Sequence, residues 1–163
     1  MENTVKLFVI GTMLIVSTAA LAQDQTLELL RHDLKTEKVA IMTGSLPLTE
    51  KQADLFWPIY REYDHELSKL GDRRIAVIKK FADKYDSLDE KTADQLVKES
   101  IKIANERNGL LEKYYKKVAK AVGTITAARF LQVENQMLTL IDAQVIDQVP
   151  LVKIGPAGGE KKK

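Results

Sequence analysis

The sequence predicts an all-α fold, and three observations carry that prediction. Apolar residues recur at spacings of three and four through most of the chain, glycine and proline are scarce between residues 24 and 148, and no stretch alternates apolar with polar residues as a half-buried strand would. Hydrophobic residues make up 45% of the chain and charged residues 29%, so there is enough of both to build a core and a solvated surface. The formal charge of +2 is nearly balanced, which argues against a dedicated nucleic-acid binder. With no cysteine there is neither a disulfide framework nor a site for lipoprotein acylation, and stability must come from packing or association.

Residues 1–22 read as a cleaved signal peptide. A short polar start with Lys6 leads into the apolar run Leu7 to Val16, and small residues end in Ala20-Leu21-Ala22, an A-x-A exit. As a membrane anchor, Val5 to Ala22 is only marginally long, and it contains Gly11, Thr12, Ser17 and Thr18. The expected product is an exported helical domain, 23–152, followed by a disordered basic tail, 153–163.

The helices follow in order. Leu27, Leu30, Leu34 and Ile41 mark a first amphipathic helix over about 24–43, stopped by Gly44-Ser45-Leu46-Pro47. Thr49-Glu50-Lys51-Gln52 is a capping box, in which hydroxyl and amide side chains each satisfy an end amide of the next helix. Behind it runs a seam of alternating four and three spacing, through Phe56, Tyr60, Tyr63, Leu67, Leu70, Arg74, Val77 and Phe81. The register survives Gly71, so one helix is expected; Pro58 lies inside it, removes the donor to Asp54 and should kink its first turns. Asp86-Ser87-Leu88-Asp89 is a turn, with Ser87 and Glu90, or Asp89 alone, capping a third helix. Its apolar side reads Ala93, Leu96, Val97, Ile101, Ala104, Leu111, Tyr115 and Val118, and Gly123 closes it. Thr124 or Thr126 is expected to cap a fourth helix carrying Ala127, Phe130, Met137, Leu138, Ile141 and Val145, stopped by Pro150.

Two helices of about 35 residues would each be roughly 50 Å long, against roughly 35 Å for a compact globule of this size. An elongated four-helix arrangement around a long antiparallel hairpin is therefore expected. It leaves apolar surface for a second copy or a partner to cover.

No catalytic constellation is present. There is no phosphate-cradling glycine loop and no serine in a strained glycine-rich turn. Glu62-Tyr63-Asp64-His65 has the E-x-x-H spacing of di-iron bundles, but the only other histidine, His32, has no glutamate three residues before it, and a surface charge cluster is the plainer reading. Met42 and Met137 are single residues on apolar faces, better read as core than as metal ligands. The outstanding feature is basic: Lys113, Lys116, Lys117 and Lys120 share a face of the third helix beside Tyr114 and Tyr115, and Arg73, Arg74, Lys79 and Lys80 lie on the second. Such a stripe either attracts acidic or partly unfolded chains or is an ordinary solvated face offset by Glu106 and Glu112.

Leu48-Thr49-Glu50-Lys51-Gln52 matches the L-T-x-x-Q motif, and with Phe56-Trp57-Pro58-Ile59-Tyr60, Leu70-Gly71-Asp72-Arg73-Arg74, Tyr114-Tyr115-Lys116-Lys117 and Ala127-Ala128-Arg129-Phe130 the chain resembles the Spy/CpxP family of periplasmic stress proteins over about residues 45–152. A second motif copy is half kept at Ile125-Thr126-Ala127-Ala128-Arg129, and the histidine-rich ends of metal-responsive members are missing. The resemblance implies a periplasmic homodimer with a cradle-like face, acting without ATP, cofactor or catalysis as a chaperone for unfolded or partly folded envelope proteins. It equally implies an accessory or inhibitory role on the periplasmic domain of an envelope-stress sensor kinase, or, as a third reading, a metal-binding stress protein. The expected client surface comprises Phe56, Tyr60, Arg73, Arg74, Tyr114, Lys116 and Lys117, with Leu48, Thr49 and Gln52 as the motif residues; neither nucleic acid nor stable membrane insertion after cleavage is expected.

Read from the residues alone, Thr49 is a helix cap. Replacing Thr49 with Ala should lower stability by about 1 kcal/mol in a urea titration. Lost function at an unchanged urea midpoint would instead make Thr49 a contact residue.

Overall fold

The computed structural model describes residues 36–154. The chain divides into two compact units, Met1–Ser45 and Leu46–Lys163. The signal peptide, Leu27, Leu30, Leu34, His32 and the end of the tail from 155 lie outside the described residues, which contain helices and no strand.

In the first unit, helix α1 occupies residues 36–45. Its buried positions are Lys38 and Met42, four apart and so on one face, whereas Ile41, expected inside, is exposed because one residue is a turn of about 100° away.

The second unit holds α2 (Glu50–Lys84), α3 (Glu90–Val122) and α4 (Thr124–Gln148). α2 begins as the sequence dictates. Thr49 Oγ1 accepts from the Gln52 amide at 3.3 Å, and the Thr49 amide donates to Gln52 Oε1 at 3.0 Å. It continues as one helix through Pro58 and Gly71. α3 is capped by Asp89 alone, which takes the Thr92 amide at 2.7 Å. The link to α4 departs from expectation. Neither Thr124 nor Thr126 caps it, since both are already helical and Gly123 alone joins the two helices. A reversal in one residue demands an unusual backbone, and Gly123 supplies it with φ at +98°.

α2 and α3 run antiparallel, with Glu62 beside Lys117 and Glu66 beside Lys113. α4 folds back along α3 and lies parallel to α2, with Phe130 near Phe56 and Asp142 near Arg74. The core is densest where α4 begins. Phe130 meets the rings of Phe56, Tyr60 and Tyr63 at centroid separations of 5.9, 6.2 and 5.7 Å, each near perpendicular, and Tyr63 meets Tyr114 at 5.4 Å. Edge-on packing sets the positive rim of one ring against the negative face of another.

α4 has 25 residues and α3 has 33, about 37 Å against about 50 Å. Carrying the Arg107–Asp142 pairing along the two helices puts the end of α4 level with about Ile101. The expected apolar side of α3 splits by helical phase. Leu111 and Val118 are buried, but Val97 and Ile101 are 57% and 56% exposed, and Ala104 is exposed as well. Ile103, Leu110 and Tyr114 take the buried places instead. Beyond α4, Lys153 is not part of a free tail: its ammonium pairs with Asp86 and lies 4.6 Å from the centre of the Tyr85 ring. Among the described residues no helix is long and apolar enough to cross a membrane.

The glycines separate by conformation. Gly71 and Gly109 are helical, with open space where a Cβ would stand, whereas Gly123 has a positive φ. Gly71→Ala and Gly109→Ala should each raise stability by about 0.5–1 kcal/mol, while Gly123→Ala should lower it by about 1–3 kcal/mol. Urea midpoints of the three variants read the signs directly.

Candidate functional site

The motif residues act at a helix junction. Leu48 is half-buried in the loop before α2, and its amide donates to the Leu46 carbonyl at 2.8 Å. Beyond its part in the cap, Gln52 sends Nε2 to the Val122 carbonyl at 3.4 Å, at the end of α3 where carbonyls lack helical partners. The motif thus ties the start of α2 to the end of α3.

The expected client surface does not assemble. Phe56, Tyr60 and Tyr114 are core residues with 2% exposure or less, so in the folded chain they offer no surface. Removing one such ring ordinarily costs about 3–5 kcal/mol, which is a structural role. Arg73 is held by Glu99 at 2.7 Å and by Glu106, and Arg74 by Asp142. Lys117 pairs with Glu62 and Lys113 with Glu66, both at 2.8 Å, and Lys116 with Glu112 one turn back on its own helix. Lys113 and Lys117 also stand about 5 Å from the centre of the Tyr114 ring, whose hydroxyl donates to Glu66 at 3.0 Å. The basic stripe is largely neutralised within the molecule.

Two polar groupings inside the bundle carry the structure. Glu134 has no solvent exposure and accepts the Tyr63 hydroxyl at 2.9 Å. Burial pushes the Tyr63 and Tyr60 phenols far up, with Glu134 adding to the effect. Asp142 accepts Arg74 from α2 and Arg107 from α3, the latter at 2.9 Å, so one carboxylate joins three helices. Sequence reading missed Glu134 as a core residue, although it continues the Ala127, Phe130, Met137 spacing.

Glu62, the first residue of the E-x-x-H spacing, is engaged by a lysine of α3. Its two oxygens are taken by Lys117 at 2.8 and 2.9 Å. Among the described residues no group of three histidine, aspartate or glutamate side chains is placed to hold a metal ion.

An open groove of about 540 Å³ lies between α2 and α3, with Arg73, Lys80 and Lys102 on its walls and Ala76, Val77 and Leu96 in its floor. A second exposed feature is the α3 stripe of Val97, Ile101 and Ala104. Comparisons with protein-family models, curated proteins and solved structures return no match.

The ion pairs fix the response to acid. Lys117 holds Glu62, Lys113 holds Glu66 and Arg73 holds Glu106 below the usual glutamate value of 4.5. A carboxylate depressed in the folded chain stabilises it above the unfolded value and loses that contribution as pH falls through the folded one. The urea midpoint should therefore stay level from pH 7 to about 5.5 and fall steadily below about 4.5. In a Glu62→Gln/Glu66→Gln/Glu106→Gln variant the fall should be shallower, and an unchanged slope would refute the assignment.

Proposed function

We propose that this chain is a periplasmic, homodimeric, non-catalytic binding protein of the Spy/CpxP type that holds exposed apolar segments of unfolded or partly folded envelope proteins without ATP. The observation that carries the reading is the uncovered stripe on α3. Val97 and Ile101, four residues apart, are more than half exposed because they lie off the face that α3 packs through Leu96, Ile103, Leu110 and Tyr114. Leu140 and Ile146 on α4, and Leu151 and Ile154 after it, add further exposed apolar area. An exported protein that leaves such side chains in water has surface for a second copy or for a client. Release needs no nucleotide when each contact is a few exposed aliphatic groups rather than a deep cavity.

This reading moves the client surface away from Phe56, Tyr60 and Tyr114 to the outer side of α3 and the end of α4. A second reading, an accessory of an envelope-stress sensor, gains from the pairing of Lys113, Lys116 and Lys117 inside the molecule. That pairing weakens the general electrostatic attraction that loose client capture would use.

Dilution of a chemically denatured model protein into buffer, followed by light scattering, tests the choice. The mature chain should suppress aggregation near equimolar ratio, and Val97→Ser/Ile101→Ser should lose most of that effect while keeping its helicity by circular dichroism. Absence of suppression by folded parent protein would remove the chaperone reading and leave a dedicated partner, to be sought by pull-down from envelope extract.

A further inference from the structure

The cross-helix charges of the hairpin form a ladder that stops short of its end. From the motif end outward, three charges on α2 in turn meet opposite charges on α3: Glu62 with Lys117, Glu66 with Lys113, Arg73 with Glu106. Continuing the same antiparallel register puts Lys80 level with about Glu99. Glu99, however, is drawn back to Arg73, which donates to it through Nε at 3.1 Å and Nη2 at 2.7 Å. Arg73 therefore holds two carboxylates, and Lys80 holds none.

The groove opens at this point. Besides Arg73 and its Glu99, the walls contribute Lys80 from α2 and Gln95, Lys98 and Lys102 from α3. Lys98 is engaged by Asp94 on its own helix at 2.6 Å. Lys80 and Lys102, one from each wall, have no carboxylate within ion-pair distance among the described residues. Between them lies an apolar floor.

The same hairpin shows what fits such a place. On its α4 side, a helix with an apolar stripe lies along it and sets one carboxylate, Asp142, between Arg74 of α2 and Arg107 of α3. We propose that the open groove is a docking site for an acidic amphipathic helix on a partner protein. The helix would lay small or aliphatic side chains on Ala76, Val77 and Leu96 and place carboxylates between Lys80 and Lys102. A helix suits the groove better than a compact ligand does. The lining spans two helical turns on each wall, from 73 to 80 and from 95 to 102, and the trough is open above. The site is separate from the α3 stripe, because Val97 and Ile101 lie on another face of that helix.

The test is fluorescence anisotropy of a labelled synthetic helix with leucines at i, i+3, i+4 and i+7 flanked by glutamates, against a twin carrying lysines for the glutamates. Full-chain protein should bind the acidic peptide saturably and ignore the basic twin. Lys80→Gln/Lys102→Gln should weaken binding about fivefold or more, a loss matched in the parent by raising salt. Lys116→Gln should leave binding unchanged. Both lysines are at the surface, so the double variant should keep the parent's circular dichroism. Suppression of aggregation should be unaffected in the double variant, which separates this site from the chaperone reading. No binding of the acidic peptide, equal binding of the twins, or indifference to the double substitution would overturn the proposal. So would lysine-dependent binding to phosphatidylglycerol vesicles in place of the peptide, which would make the groove a contact for an anionic membrane surface.

Discussion

α4 has 25 residues and packs against a hairpin whose arms have 35 and 33, and it must start where α3 ends because Gly123 is the whole of the link. Those two facts set how burial is distributed in the second unit. The end near Gly123 is a three-helix bundle with an aromatic centre. Past about Ile101 only two helices remain, and two helices cannot enclose a core between them. Leu67, Leu70, Val77 and Phe81 of the α2 seam are half-buried, whereas Phe56, Tyr60 and Tyr63 are fully inside. The same covalent constraint that makes the aromatic end compact leaves the far end open, and both the apolar stripe and the lysine-walled groove occur toward that open end.

Polar residues within the seams decide the register. Asp142 can meet Arg74 and Arg107 together only if all three helices stand at one level, and Glu134 meets the Tyr63 hydroxyl only in that alignment. A buried or half-buried carboxylate gains little net stability from its partners, since its desolvation offsets the attraction. Misplacing it is costly, however, because it would then lie among the rings without its donor. An all-aliphatic seam would tolerate a slip by one heptad. This one does not, and the polar layers act against the alternatives more than they add to stability.

Most of the helical fold was legible in the sequence, since it rests on local rules. The Thr49–Gln52 capping box, the Asp89 cap, the helix that runs through Gly71 and the breaks at Gly123 and near Pro150 each follow from residues within a turn of the event. What failed depended on distant residues. The α3 stripe is an exception: Ile103 stands seven residues from both Leu96 and Leu110 and about 120° round the helix from Val97, so helical phase alone separates the two. Of the two readings of the basic stripe, the structure pairs Glu106 and Glu112 with Arg73 and Lys116 as the solvated-face reading has it, and the rest of the neutralisation is long-range. Lys113 and Lys117 look free in the sequence, and their neutralising glutamates, Glu66 and Glu62, belong to the other arm. Glu134 is another miss that spacing exposes, because it continues the three-four run from Ala127 through Phe130 to Met137, but a single acid in an apolar stripe is more often set aside than buried.

The hairpin's internal pairing bears on any binding role. A protein that captures clients by charge needs charges that are not already committed, and Arg73, Arg74, Lys113, Lys116 and Lys117 are all held by carboxylates of the same chain. Exposed aliphatic groups on α3 carry no such commitment, and they attract any chain with apolar surface. Lys80 and Lys102 make no ion pair among the described residues, though the charge of Lys102 acts on Glu106 one turn on, and from two fixed walls they favour acids at one spacing. The two surfaces therefore differ in selectivity for a physical reason. Dispersion and desolvation reward any aliphatic segment, whereas a pair of separated ammonium groups over an apolar floor rewards one arrangement of carboxylates on one kind of helix. On the proposed reading, one face would hold varied unfolded segments and another would recognise a particular partner.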